Sequence, residues 1–436
     1  MTLLIISPDY ASHLLPLATL GTAWRDAGER VVVATGPATA EIVESFGFER
    51  ITLQLGKGSN PGVIRAEEQP SGEDDALRGF FDATRRGMVE TLIFQAEARL
   101  SDLMWEPVRT ALAVQAVVAE IKPDAIIVDH LAFSARLALV AAGVPYADVV
   151  LGHPSALPVG DEVYGFPPAW PEAFDPSADE LRTLRDLCVR VSESFTAEWN
   201  GALAELAPLS PPSLSAFGEH GDVLLFNYPA ELSPPARTAI LPPHRFLGSA
   251  VREEPEDPEV AAWLASSGDP FVYVSFGSFL SIRADVLARV CLALRQVGVR
   301  GAIAIGSADR SELGELPSRW LVREFLPQVT LLEHAAAAVT HGGNNSVTES
   351  MTFGVPLVVL PFSTDQFAGA AALEDAGFGV ALAPNTATVA ELAEAVRRVL
   401  DLPEEARTML GALSAGLRED AGSRRAFSAV ASAPTS

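Results

Sequence analysis

The stretch 325–379 constrains the fold of this chain more than any other part of its sequence. It reads FLPQVTLLEHAAAAVTHGGNNSVTESMTFGVPLVVLPFSTDQFAGAAALEDAGFG. Its periodicity predicts a helix, a short strand, a glycine loop, a second helix and a buried strand. The polar residues His341 to Ser346 fall between the end of a strand and the start of a helix. The first turn of a helix carries unpaired N–H groups and a positive dipole end, so the sequence predicts a phosphate site here.

Short apolar strands alternate with amphipathic helices in the rest of the chain. The predicted strands include Thr2–Ser7, Arg30–Thr35, Asp124–Asp129 and Phe271–Ser278. Strands this short and apolar, separated by helices, are typical of a parallel sheet covered on both faces. We therefore predict an α/β fold with two doubly wound, Rossmann-like parallel-sheet domains that face an inter-domain cleft. Ligands of such sheets bind beyond the carboxyl ends of the strands.

Changes in composition along the chain suggest where its domains begin and end. We predict an amino-terminal domain over 1–228, with a proline- and aromatic-rich insertion at 152–217. The proline-rich, acidic segment 229–260 lacks a hydrophobic period and is predicted to be the linker. A carboxy-terminal domain over 261–415 and a terminal helix or tail over 416–436 complete the prediction.

Composition argues against several classes of partner and setting. The net charge of −25 disfavours nucleic acid and anionic membranes as partners. The longest apolar runs are too short to span a bilayer, and Leu3–Ile6 is a buried-strand signal rather than a secretory one. Two cysteines, Cys188 and Cys291, cannot form a disulfide framework, so we expect packing roles for both and a reducing, cytoplasmic setting.

Two residues near predicted strand ends could act as a catalytic pair. His13 follows the first strand at the start of a helix, whose dipole would favour the neutral imidazole that a general base needs. Asp129 ends another buried strand and could orient that imidazole. The alternatives are a packing or capping histidine and an aspartate that caps the next helix. His130 is a competing candidate for the base.

The loop HGGNNSVTE supplies small residues and hydrogen-bond donors. Gly342 and Gly343 would let the backbone approach a ligand, and the side chains of His341, Asn345 and Ser346 could donate to phosphate oxygens. An alternative is that Ser346 and Glu349 form an S-x-x-E capping box, which needs no ligand.

Three further polar residues follow strands. Ser278, after Gly277, offers donors, although such a pair also suits an ordinary tight turn. Asp365 and Gln366 combine a carboxylate and an amide, which suit neighbouring sugar hydroxyls, although a solvated turn is the alternative. The run GKGSN lacks the spacing of a phosphate loop, and a mobile surface loop is the preferred interpretation.

The patterns that the chain lacks exclude other chemistries. No D-x-D, HxxxH or HExxH spacing is present, which disfavours a dedicated divalent metal site. The first strand is not followed by GxGxxG, and no GxSxG occurs. These absences argue against a dinucleotide cofactor and a serine hydrolase.

Taken together, the order and spacing of these motifs resemble the inverting UDP-glycosyltransferase superfamily, glycosyltransferase family 1 with the GT-B fold, and especially its actinobacterial members. The resemblance runs nearly end to end and is strongest over 325–379. It implies that His13 is the base that deprotonates the acceptor hydroxyl and that Asp129 is its orienting partner. Phe325 stands where the family usually has a tryptophan that stacks on uracil, which leaves both uracil and thymine open.

The resemblance also implies a set of donor contacts. The base-side residues would be Phe325 and Gln328, the ribose contact Glu349, and the sugar contacts Asp365 and Gln366. The diphosphate would be held by Ser278, His341, Gly343, Asn345 and Ser346. The insertion 152–217 and the loop 55–80 would line the acceptor side.

The function implied is that of a metal-independent hexosyltransferase with no cofactor beyond its nucleotide-sugar co-substrate. It would move a hexose, glucose first of all, from a UDP-sugar to a hydroxyl of a small hydrophobic acceptor such as a natural product, forming a beta-glycoside. The alternatives are a dTDP-deoxysugar transferase of antibiotic biosynthesis, a GT-B sugar-nucleotide epimerase and a non-catalytic sugar-nucleotide binding protein. We expect a monomer or homodimer without stable membrane insertion.

Overall fold

Two parallel β-sheets organise the protein, one in each half of the chain. The computed structural model describes residues 1–60, 73–100, 103–277 and 283–432. Within these ranges the first half forms a seven-stranded sheet and the second half a six-stranded sheet. This arrangement confirms the predicted α/β fold with two Rossmann-like sheets.

The first sheet has the strand order β3-β2-β1-β4-β5-β6-β7. Strand β1, in the interior of this sheet, is buried on both faces, and Leu3 to Ile6 are fully inaccessible to solvent. This explains why the strand reads as a continuous apolar run rather than an alternating one. The strands are β1 (Thr2–Ile6), β2 (Arg30–Thr35), β3 (Glu49–Thr52), β4 (Ala125–Asp129), β5 (Ala147–Val150), β6 (Val223–Phe226) and β7 (His244–Phe246).

The second sheet has the order β10-β9-β8-β11-β12-β13. All of its paired strands are parallel. Its strands are β8 (Phe271–Ser275), β9 (Arg300–Ala304), β10 (Leu321–Arg323), β11 (Ala337–Thr340), β12 (Leu357–Val359) and β13 (Gly379–Ala381).

Both sheets reverse their strand order at a corresponding point. The reversal lies between β1 and β4 in the first sheet and between β8 and β11 in the second. Loops that leave the carboxyl ends of such strand pairs diverge and open a crevice. The crevices place the segments after β1 and β4, and those after β8 and β11, where ligands of this architecture bind.

Helices cover the faces of both sheets. Helix α7 begins with a capping box in which Ser177 and Glu180 satisfy each other's backbone N–H groups. The helices of the first half are α1 (Ala11–Asp26), α2 (Ala40–Ser45), α3 (Glu73–Arg86), α4 (Met88–Arg99), α5 (Pro107–Ile121), α6 (Phe133–Ala142), α7 (Ala178–Leu206) and α8 (Pro235–Thr238). Those of the second half are α9 (Pro258–Ala265), α10 (Ala284–Val297), α11 (Gln328–Leu332), α12 (Asn344–Phe353), α13 (Gln366–Asp375), α14 (Val389–Leu400), α15 (Glu404–Glu419) and α16 (Gly422–Ala431).

The segment 229–260, predicted as a linker, contributes to the first sheet. Strand β7 pairs in parallel with β6, with His244 opposite Leu224. Three residues are too few to show a hydrophobic period, which is why the sequence pattern missed this strand. The chain then reaches the second sheet through residues 247–257, while the predicted domain boundaries stay predictions.

The end of the chain returns to the first half. Helix α15 packs on α12, and Ser414 Oγ donates a hydrogen bond of 2.7 Å to the carbonyl of Thr352. Helix α16 packs instead on α1, where the rings of Phe427 and Trp24 meet edge to face with centroids 4.9 Å apart. The last described helix therefore belongs, by its contacts, to the first half.

The described helices include none with both the length and the apolar composition that a membrane span requires. Cys188 and Cys291 are free and buried. Burial raises the pKa of the Cys188 thiol to about 11 and that of Cys291 to about 12, so both stay protonated at neutral pH. This agrees with the packing roles predicted for them.

Candidate active site

A cavity of about 1370 Å³ lies between the two sheets and is lined by both halves of the chain. The first half contributes the loop after β1, including His13, and the second half contributes the loop after β11, including His341. Both crevices therefore open into one space. The predicted site residues that line it are His13, Phe325, Gln328, His341, Gly343, Asn345, Ser346, Asp365 and Gln366.

His13 and Asp129 are in contact at the first crevice. Nδ1 of His13 lies 2.6 Å from Oδ2 of Asp129. The aspartate side chain is fully buried, while 28% of the histidine side chain is exposed. The other carboxylate oxygen of Asp129 accepts the backbone N–H of Leu131 at 2.8 Å, which fixes its orientation. Asp129 therefore holds the turn after β4 and the imidazole together, rather than capping α6, which has no side-chain cap.

The environment of His13 raises its pKa, contrary to the expectation from the helix dipole. Burial alone lowers the pKa, but the charge and hydrogen bond of Asp129, with a contribution from the charge of Asp365, outweigh it. The reason is that the carboxylate in direct contact favours the imidazolium more strongly than burial disfavours it. Nδ1 faces the carboxylate, so the neutral ring is left with Nε2 as the acceptor of a proton.

The competing histidine, His130, lies outside this cavity lining. Its side chain is 1% exposed, and Nδ1 is 2.9 Å from Oδ2 of Asp148. Burial and the nearby charge of Arg136 lower the pKa of His130, although the charge of Asp148 opposes them. A histidine enclosed in this way does not fit the role of a base for an external hydroxyl.

The glycine loop after β11 delivers a helix end to the cavity. Gly342 has φ of +86°, a region that favours glycine, and Gly343 is the N-cap of α12 without a side-chain cap hydrogen bond. Ser346 therefore lies inside the first turn, and the alternative capping box with Glu349 is wrong. The helix begins three residues earlier than that motif requires, and its N-cap and first turn, Gly343 to Ser346, line the cavity.

His341 packs against glycines on two sides. A Cβ atom on Gly343 would lie 2.5 Å from its Nε2, and one on Gly277 would lie 2.9 Å from its Cε1. Burial lowers the pKa of His341 to about 4, although Asp365 and a backbone hydrogen bond with Ser275 oppose the shift. His341 is therefore neutral at pH 7 and can donate one N–H.

Side chains at the start of α12 reach across to the first half. Nδ2 of Asn345 donates to the carbonyl of Ser12 at 3.0 Å. Nδ2 of Asn344 donates to the carbonyls of Leu151 at 2.5 Å and Asn227 at 2.9 Å. The sequence analysis missed Asn344, because its partners are distant in sequence and have no motif.

Glu349 is held by two donors behind the helix end. Its side chain is 3% exposed, and Oε1 accepts from Arg252 at 2.7 Å while Oε2 accepts from Gln328 at 2.6 Å. Burial raises the pKa of Glu349, and Arg252 opposes that shift. Arg252 also contacts Glu254, which accepts the backbone N–H of Thr330. Arg252 was missed, since one arginine in an acidic, proline-rich segment resembles a solvated residue.

The remaining predicted donor residues differ in how far they are already engaged. Phe325 is 64% exposed, which leaves its ring available for stacking. Asp365 accepts the backbone N–H of His153, from the other half, at 2.6 Å, and so is not a solvated turn. Gln366 is buried, and its Oε1 accepts from Phe362 and Ser363. Ser278 lies outside the described residues.

The opposite wall of the cavity is largely apolar and comes from the first half. Residues predicted to form it do so: Gly56 to Ser59, Leu77 and Phe80 from the loop 55–80, and Tyr164 to Pro167 from the insertion. Residues 56–59 of the run GKGSN, which was interpreted as a surface loop, thus line the cavity. Helix α4 and the residues after it add side chains that the sequence analysis missed: Gln95, Arg99, Leu103 and Trp105.

Comparison with known proteins identifies relatives of this chain. The family model of UDP-glucoronosyl and UDP-glucosyl transferases matches residues 187–413. The chain is 27% identical over 186 residues to the NDP-glycosyltransferase YjiC of Bacillus subtilis, covering 42% of this chain and 47% of the relative. It is 29% identical over 214 residues to the oleandomycin glycosyltransferase of Streptomyces antibioticus, covering 48% of this chain and 49% of the relative. The chain thus spans about half the length of these curated relatives.

A solved structure shares the fold over almost the whole chain. The spinosyn rhamnosyltransferase SpnG, solved with thymidine diphosphate, superposes with a TM-score of 0.63 at 17% sequence identity, covering 98% of this chain and 99% of that one. The two sheets, their order and this superposition establish the GT-B architecture. With the family match over half of its length, the chain belongs to the UDP-glucoronosyl and UDP-glucosyl transferase family.

Proposed function

We propose that this protein is an inverting glycosyltransferase that moves a hexose from a nucleotide-diphosphate sugar to a hydroxyl of a small hydrophobic acceptor. The observation that carries the proposal is the His13–Asp129 pair, 2.6 Å apart, in the same cavity as the amino end of α12. One crevice thus offers a base and the other a set of donors for a diphosphate.

The proposed reaction forms one bond and breaks one. The acceptor oxygen bonds to the anomeric carbon while the bond from that carbon to the diphosphate oxygen breaks. Nε2 of His13 takes the hydroxyl proton, and Asp129 stabilises the resulting imidazolium. The negative charge that develops on the diphosphate is stabilised by the N–H groups at the start of α12 and by the neutral His341. Attack opposite the leaving group turns an alpha-linked donor into a beta-glycoside.

We propose a metal-independent reaction with UDP-glucose as the first donor to test. The support is chemical: within the described ranges, no three His, Cys, Asp or Glu side chains group closely enough to hold a metal ion. The helix end and the histidine supply donors in its place. Full activity in the presence of a chelator is the expected result, and restoration of lost activity by a divalent ion would contradict this part.

Replacement of His13 tests the proposed base. We expect His13→Ala to bind the donor with unchanged affinity and to lose roughly 10²- to 10⁴-fold in kcat. The matched control is His334→Ala, because His334 is exposed and does not line the cavity. Activity would be followed by mass spectrometry of an acceptor panel, and donor binding by calorimetry with the nucleoside diphosphate. Retained turnover in His13→Ala would rule out the assigned base.

Phe325 tests the choice of donor base. Its exposed ring suits stacking on a pyrimidine, and such stacks contribute about 1–3 kcal/mol. We expect Phe325→Ala to raise the KM for the donor roughly 5- to 150-fold, while Phe325→Trp keeps binding. UDP- and dTDP-sugars would be compared in parallel, since the similarity to the SpnG fold does not decide between uracil and thymine. An unchanged KM in Phe325→Ala would contradict the stacking role.

The epimerase alternative differs in its products. Donor incubated without an acceptor would yield an isomeric sugar nucleotide if the protein were an epimerase. The broad apolar wall formed by residues such as Trp105, Phe133 and Phe166 favours a second, apolar substrate instead.

A further inference from the structure

Arg99, the last residue of α4, lies in the wall of the cavity. Its guanidinium carbon is 5.3 Å from the centre of the Tyr164 ring. Gly165, which follows Tyr164 in the sequence, has φ of +84°, and a Cβ atom on Gly165 would lie 2.8 Å from Nη1 of Arg99. The aromatic ring and the bare glycine backbone therefore define the position of the guanidinium group.

Arg99 and Arg252 differ in their partners, because Arg252 contacts carboxylates and Arg99 contacts an aromatic ring. Arg252, which also lines the cavity, donates to Glu349 and Glu254. Among the residues whose side chains the structure describes (1–60, 77–100, 103–277 and 283–432), no carboxylate or carbonyl oxygen accepts a hydrogen bond from Arg99, whose guanidinium lies over the Tyr164 ring. Stacking on a ring uses the face of a guanidinium and leaves its in-plane N–H donors available.

The surroundings of Arg99 combine an apolar wall with an uneven distribution of charge. Leu103, Trp105 and Phe166 line the same cavity. Near the proposed base, the charges of Asp129 and Asp365 act on His13 and would repel an anion. With a net charge of −25, the chain as a whole also repels anions, so an anionic ligand needs a local cation. Arg99 supplies one on the acceptor side.

We propose that the acceptor carries a carboxylate, and that Arg99 binds this group while the acceptor hydroxyl lies at His13. This deepens the proposed function by naming the acceptor class: a hydroxylated apolar acid, with the carboxylate at the end of the molecule remote from the reacting hydroxyl. A guanidinium and a carboxylate are both planar and can form a bidentate pair with two parallel hydrogen bonds. The apolar body would pack on the aromatic wall, and the carboxylate takes no part in bond making or breaking.

The test compares acids with their uncharged esters. The probes are hydroxyaryl acids with one to three methylenes between ring and carboxylate, and the methyl ester of each. For the wild-type protein we expect kcat/KM to favour the best acid over its ester by about 10- to 100-fold, the range for a charged hydrogen bond. In Arg99→Gln this preference for the acid over its ester should disappear. Arg99→Lys keeps the positive charge but cannot form the bidentate pair, so it should retain part of the preference for the acid.

Arg185→Gln is the matched control. Arg185 stacks on Phe166 at 5.6 Å but is exposed and does not line the cavity, and it donates to the carbonyl of Asp161. It should keep the wild-type preference for acids. An equal acid-to-ester ratio in wild type and Arg99→Gln would overturn the proposal. A rise in donor KM in Arg99→Gln, without change in the acid preference, would overturn it too, because the arginine would then serve the donor.

Binding separates this inference from the proposed transfer activity. The same arylalkanoic acids without a hydroxyl cannot accept a sugar, and their binding can be measured by calorimetry on wild type and Arg99→Gln. Arg99-dependent binding of these acids without any sugar transfer would sink the proposed function and leave the carboxylate site standing. Sugar transfer to the esters without Arg99-dependent binding of the acids would support the proposed function and rule out the carboxylate site.

Discussion

The imidazole of His13 experiences two opposed influences that set the pH at which it can work. Burial lowers its pKa, whereas Asp129 and Asp365 raise it, and the net effect is upward from the ordinary value of 6.5. A general base is active when deprotonated. We therefore expect kcat/KM to fall as pH decreases, with an apparent pKa above 6.5 for the acid limb. His341 adds no limb near neutral pH, because its pKa is about 4.

Replacement of Asp129 by asparagine tests this assignment. Asp129→Asn removes the main causes that raise the pKa of His13, so the acid limb should move to lower pH. Because the N–H of Leu131 occupies the other oxygen of Asp129, the amide NH2 of asparagine would face Nδ1 and favour the wrong tautomer of His13, so kcat should fall by roughly 10²- to 10⁴-fold. The measurement is a pH profile of kcat/KM for both proteins. An acid limb at the same pH in both would mean that another group titrates.

Single residues after strand ends were predictable from sequence, and their cross-chain partners were not. His13 and His341 follow short buried strands and Asp129 ends one, and the carboxyl ends of parallel strands share one edge. Asn344 could not be assigned, because its acceptors are backbone carbonyls 193 and 117 residues away. Any residue type supplies such a carbonyl, so no pattern marks it.

Among the elements, the segment between the sheets connects the two halves to the donor side of the cavity. Arg252 lies on it, with a side chain 16% exposed, and contacts both Glu349 and Glu254. The resemblance described above implies that Glu349 contacts ribose, a role that requires its carboxylate to stay ionised and oriented. We therefore propose that Arg252 is a positioning residue that acts through Glu349.

Loss of Arg252 should affect donor binding more than turnover. We expect Arg252→Gln to raise the KM for the donor by about 10- to 100-fold, because a buried carboxylate loses its charged partner. Without Arg252, nothing from that side opposes the effect of burial, so the pKa of Glu349 should rise further. The increase in donor KM should therefore become larger as pH decreases. The control is Arg245→Gln, since Arg245 is an exposed arginine on β7 whose recorded hydrogen bond goes to the carbonyl of His244. A KM independent of pH and equal to wild type would contradict this role.

Elements were predictable in proportion to their length. The bounds predicted for the strand Arg30–Thr35 match β2, and those predicted for Asp124–Asp129 differ from β4 by one residue. Strand β7 was missed, because three residues inside a proline-rich segment carry too little periodicity. Its place in the sheet is decided by pairing with β6, a tertiary contact.

At the scale of the whole molecule, the last described helix stabilises the first half. Phe427 packs edge to face on the fully buried Trp24, and Ala426 is also fully buried. We expect Phe427→Ala to lower the free energy of unfolding by about 1–3 kcal/mol, because an aromatic contact and apolar burial are lost. Thermal melting would measure this, with calorimetry of the nucleoside diphosphate as the check on the cavity. A matched change at the exposed Met409, Met409→Ala, should have little effect.

The shared cavity was predictable at this scale, whereas the return of the chain was not. Two doubly wound sheets imply two crevices, and the motifs on both sides implied a common ligand. The sequence of α16 shows only an amphipathic helix, and nothing in it specifies α1, some four hundred residues earlier, as its partner. Tertiary packing decides such pairings.

The chain crosses between the halves twice, and the two crossings touch. A Cβ atom on Gly248 would lie 2.3 Å from Cδ2 of Leu417, and one on Gly422 would lie 2.4 Å from the carbonyl oxygen of Ser249. Two connections that run side by side would act as a single hinge for any opening of the cavity between the two halves. Sliding or twisting of one lobe over the other would have to stretch both connections at once. A hinge of this kind would bring the amino end of α12 back opposite His13 whenever the cavity closes.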